Sequence, residues 1–86
     1  MYVIVVYDVD QKRTGKMLKL CRRYLHWIQN SVLEGELTPM QLKQFKAEAH
    51  KLMQDNDSLI VFASRDEKWL EKEVLGAERG STDTFL

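Results

Sequence analysis

The chain opens on Tyr2-Val3-Ile4-Val5-Val6-Tyr7, an unbroken β-branched and aromatic run, and places Asp8 and Asp10 directly behind it. A run with no polar face reads as an interior strand covered on both sides. It fixes the middle of a sheet. Asp8 then falls at the C-terminal rim of that strand. Lys12, Arg13, Lys16, Lys19, Arg22 and Arg23 follow with no acid between them. A carboxylate at a strand end, facing cations that suit phosphate, outlines a metal-assisted phosphodiester site.

With 86 residues the chain is one small domain. A chain of this size buries only about 60–65% of its unfolded surface, so pairing with a second copy would add stability. The formal net charge is zero, but its distribution is lopsided. Residues 1–26 hold six cations against two acids, and the remainder holds seven against eleven. One surface is therefore built to attract phosphate while another repels it. No apolar run approaches the ~20 residues of a membrane span, and no secretory signal is expected at the start. The single cysteine excludes an internal disulfide framework and suits a reducing compartment, so the expected location is cytoplasmic.

Helical spacing governs Lys12 to Leu25. Met17, Leu20, Cys21 and Tyr24 recur on one face, and Lys12, Lys16, Lys19 and Arg23 form a stripe on the other. Gly15 weakens the first turn or admits a close backbone approach. The segment His26 to Gly35 has the β-formers of a second strand. Thr38-Pro39-Met40-Gln41 is a capping box with proline at the first helical position. It opens a helix that buries Leu42, Phe45, Ala49, Leu52 and Met53 and ends at Asp55-Asn56-Asp57. Ser58 to Ala63 is a third strand. Lys68 to Gly76 is read as a fourth, since the order β-α-β-β-α-β otherwise lacks its last member and leaves an edge bare.

Chemically, Asp8 stands apart. One carboxylate holds Mg²⁺ weakly, because that ion keeps its waters and takes one or two carboxylates plus phosphate oxygens. Asp10, or a second Asp8 brought by a two-fold axis, would supply the next ligand. A charged helix face is ordinarily a solvated one, but this stripe lacks the acids that normally make i, i+4 pairs, which raises contact with a phosphate backbone as the alternative. Cys21 on the buried face is a structural thiol. His26 and His50 have no zinc-ligand spacing. Trp27 and Trp69 are core or interface residues, and no covalent catalyst is present.

Tyr7-Asp8-Val9 closing the first strand, the basic helix, and Gln29-x-Ser31-Val32-x-x-Gly35-x-Leu37 together resemble the CRISPR-associated Cas-two family. The resemblance implies an α+β, ferredoxin-like β-α-β-β-α-β domain over residues 1–78. Residues 79–86, ending in Phe85 and Leu86, would form a tail strand pairing with the partner of a homodimer. It further implies that two Asp8 carboxylates share one Mg²⁺, as metal ligands and as catalytic groups. Tyr7 and Ser31 would support that site, and Lys12, Arg13, Lys16, Lys19 and Arg23 would bind nucleic acid. The implied role is spacer acquisition, in which the dimer bridges Cas-one integrase dimers and supports prespacer DNA. Metal-dependent endonuclease or endoribonuclease activity comes with the family. Trp27 and Leu33 stand where that family often has arginine and phenylalanine, so scaffolding ranks above cleavage. The competing readings are an RNA-recognition-like module and a small-molecule-binding domain of the same shape.

Overall fold

The computed structural model describes residues 1–66, 68 and 70–76. Its elements run β1 (Tyr2–Asp8), α1 (Gln11–Arg22), β2 (His26–Gln29), β3 (Val32–Glu36), α2 (Pro39–Leu52) and β4 (Ser58–Ser64). The sheet order is β2-β3-β1-β4, with every neighbouring pair antiparallel. That is the ferredoxin-like arrangement of two split βαβ units. The uninterrupted apolar strand β1 sits inside the sheet, between β3 and β4.

Strand periodicity divides the sheet into two unlike faces. Val3, Val5 and Tyr7 join Leu33 with Met17, Leu20 and Cys21 of α1 and Leu42, Phe45 and Ala49 of α2 in one buried core. The opposite face carries Ile4, Val6, Ile60 and Phe62. There Ile60 and Phe62 remain about half exposed, at 52% and 56%. Both faces of β1 are apolar, yet among the described residues α1 and α2 cover one of them.

Two helix ends follow from local chemistry. Asp10 caps α1 by accepting the Lys12 N–H at 2.9 Å. The Thr38 capping box forms as expected: Gln41 N–H donates to Thr38 Oγ1 at 3.1 Å, and Thr38 N–H donates to Gln41 Oε1 at 2.9 Å. The helices meet where Tyr24 packs edge-on against Phe45, ring centroids 5.4 Å apart. The Tyr24 hydroxyl also donates to Glu48.

Two sequence expectations need correction. The segment 26–35 is not one strand but a hairpin, broken at Asn30-Ser31. Asn30 takes a positive φ of 42°, which asparagine tolerates better than most side chains. This hairpin supplies the missing strand, so β4 is the last member of the order. Residues 68 and 70–76 accordingly form no strand. Instead Lys72 reaches Glu34, with 2.9 Å between Nζ and Oε1, and Tyr2 donates its hydroxyl to the same carboxylate. That contact lays the segment across part of the open face, where Val74 and Leu75 border a groove with Ile4 of β1, Ile28 of β2 and Val32 of β3. The expected tail strand, residues 79–86, and Trp69 lie outside the described residues.

Candidate metal and nucleic-acid site

Asp8 is the last residue of β1 and pairs across the sheet with Ser58. It is exposed, and its carboxylate makes no hydrogen bond or ion pair with any described residue. Alternation along the strand turns it to the open face. Tyr7 consequently points the other way, into the core, with 4% of its surface exposed. Burial, with a smaller contribution from nearby Cys21, raises the Tyr7 hydroxyl above its usual range. Its phenol is thus a neutral core group, while its backbone N–H donates to the Ser31 carbonyl at 3.1 Å. Tyr7, Asp8, Asn30 and Ser31 border one shallow groove at the rim. The β2–β3 turn is therefore brought to Asp8.

Among the described residues no three His, Cys, Asp or Glu side chains converge as a metal cage. Asp10 borders a groove with Asp8, but one of its oxygens is engaged in capping α1. What remains is one open carboxylate with free lone pairs. That suits one ligand position on a hydrated divalent cation and falls short of a complete set. A two-fold axis beside Asp8 would supply the second.

The cations separate into two groups. Lys12, Lys16 and Lys19 are exposed and make no ion pair among the described residues. Arg23 lies at 3.2 Å from Glu48 and over the Tyr24 ring, so part of its charge is already answered. Arg13 departs from expectation. Its Nε donates to Asp57 Oδ2 at 2.5 Å and its Nη2 to Asp57 Oδ1 at 3.0 Å. A guanidinium so engaged faces inward and is not a free phosphate contact.

Asp57 is a residue that the sequence presents only as part of a helix stop. Its side chain is 1% exposed, and it accepts backbone N–H bonds from Asp10 at 2.8 Å and Gln54 at 2.9 Å. The Arg13 guanidinium, more than the two amides, holds its carboxyl far below the usual carboxylate range. Asp57 lies 44 positions from Arg13, so no local pattern announces the pair. Cys21 is buried and its thiol is pushed up to about 12 by that burial, in keeping with a structural role.

Residues 1–72 match the family model for CRISPR associated protein Cas2. A CRISPR-associated endoribonuclease Cas2 of Fusobacterium nucleatum is 48% identical over 92 residues, covering 100% of this chain and 87% of that protein. The protein of the same name from Thermotoga maritima is 47% identical, covering 100% and 99%. A crystal structure of cas2 superposes with a TM-score of 0.85 at 37% identity, over 92% of this chain and 90% of the other. Streptococcus pyogenes Cas2, in a crystal structure at pH 6.5, gives 0.75 at 30% identity, over 88% and 100%. With the family model, the full-length similarity and the fold in agreement, this chain belongs to the CRISPR-associated Cas2 family.

Proposed function

We propose that this Cas2 protein works as a homodimer that binds nucleic acid in spacer acquisition, bridges Cas-one integrase dimers, and hydrolyses phosphodiester bonds at paired Asp8 carboxylates. The observation that carries the reading is Asp8 itself: an exposed carboxylate, unengaged among the described residues, at the rim of a sheet face on which Ile60 and Phe62 are half exposed. Joining two such faces would cover Ile60 and Phe62 and bring the Asp8 rims of two subunits together. The endoribonuclease names of the relatives make RNA the first substrate to try, with DNA second.

In this mechanism Asp8 of each subunit would hold Mg²⁺, and the ion would supply a more acidic bound water and charge stabilisation on the phosphate. Lys12, Lys16 and Lys19 hold the phosphate backbone by charge, without reading sequence. Ser31, beside Asp8 at the rim, borders the bound strand. No side chain acts as a covalent nucleophile. Hydrolysis of short single-stranded RNA, with and without chelator and with Asp8→Ala, tests the catalytic part. Cleavage that survives both treatments would refute it.

A scaffold without cleavage is the second reading, and one observation favours it. Arg13 is committed to Asp57 and Trp27 stands in the family's arginine position, so the rim has few cations for a developing phosphate charge. In that case Asp8→Ala leaves nucleic-acid affinity and integrase assembly intact.

A further inference from the structure

Asp57 ties together the chain segments that leave the sheet around Asp8. Through Asp10 N–H it holds the exit of β1, two residues beyond Asp8. Through Arg13 it holds the first turn of α1. Through Gln54 N–H it closes its own turn, and its neighbour Ser58 is the pairing partner of Asp8. Asp8, Asp10, Arg13 and Asp57 border a single groove. A part-buried ion pair loses hydration from both charges, so its contribution to stability alone is modest. A forked guanidinium on a carboxylate supplies fixed geometry instead.

We infer that the Arg13–Asp57 clamp positions the Asp8 carboxylate for its cation, which makes Arg13 and Asp57 positioning residues and not phosphate contacts. The inference rests on the reading of Asp8 as a metal ligand. A clamp that fixes the backbone two residues beyond a ligand acts as a supporting shell does around a metal, where losing a partner typically weakens affinity about 10–100-fold.

The test uses Mn²⁺ alone as probe, with the broadening of backbone amide signals around Asp8 in the full-length protein as readout. Arg13→Gln separates geometry from charge. Removing a cation beside the site would by electrostatics tighten Mn²⁺ binding, whereas loss of the clamp loosens it, by about tenfold in half-saturating concentration. Arg13→Lys keeps the charge but cannot span both Asp57 oxygens, so it stays loose as well. It carries the test alone should Arg13→Gln fail to fold. Tighter or unchanged binding in Arg13→Gln, or full recovery in Arg13→Lys, overturns the clamp. Asp8→Ala tells the two readings apart. If it abolishes broadening while the Arg13 variants bind normally, only the clamp falls. If it broadens like the wild type, the Asp8 site falls and the clamp with it.

Discussion

Leu25 lies directly over Gly35: a β-carbon at position 35 would stand 3.2 Å from Leu25 Cδ2 and 3.5 Å from its Cα. The turn between α1 and β2 reaches the sheet only because that strand position has no side chain. Gly35→Val should therefore destabilise the fold by about 1–3 kcal/mol through overpacking. Gly15 has nothing within 4 Å of a built β-carbon, so the close approach considered for it does not occur. Gly15→Ala should stabilise by about 0.5–1 kcal/mol, the helical cost of glycine. Urea unfolding of both variants checks the opposite signs.

The exposed lysines of α1 make a salt-dependent prediction. Replacing Lys12, Lys16 and Lys19 together by Ala should weaken binding to unrelated duplexes equally. The slope of log affinity against log salt should become shallower by about 0.9 for every phosphate no longer neutralised. Fluorescence anisotropy across a salt series measures it. An unchanged slope would reduce the stripe to a solvated surface.

Asp57 predicts an acid limb in stability. Its folded pKa is depressed, so its contribution is complete above the unfolded value of 3.8 and is lost as pH falls toward the lower folded value. Between those values the unfolded state binds the extra proton, and stability rises with pH. Thermal melting between about pH 2 and pH 5 should fall more steeply for the wild type than for Asp57→Asn. Parallel curves would show that the pair is not felt.

The half-exposed patch of Ile60 and Phe62 predicts a change of association state. Phe62→Glu places a charge on the half-exposed apolar patch without touching the helical core. Sedimentation should show wild-type dimers and variant monomers, with far-ultraviolet circular dichroism unchanged. Dimers of undiminished strength in the variant would move the interface elsewhere.

Much of this fold is legible in short-range pattern. The apolar run of β1, the helical spacing of Met17, Leu20 and Cys21, and the Thr38 capping box each report an environment made by near neighbours. The hairpin is less legible, because Asn30-Ser31 is a weaker turn signal than Asn-Gly and sits amid continuous β-formers. Its only mark is a polar pair set between β-forming stretches. Reading through that pair shifts the strand count and sends the last strand to residues 68–76. At the site, Asp8 is readable from its position at a strand end. Arg13 is not readable, since its role depends on an aspartate brought near only by the completed sheet. A cation in a basic run looks available until the fold supplies its partner.

Both helices lie on one side of a single sheet, while the other side keeps the Ile60 and Phe62 patch half exposed, and this one-sidedness has an organisational consequence. The lysines of α1 and the apolar patch of β4 face away from each other, with the whole core between them. A partner approaching one surface does not obstruct the other, so grip and pairing are separately adjustable. Strengthening either requires changes to only a few outward side chains.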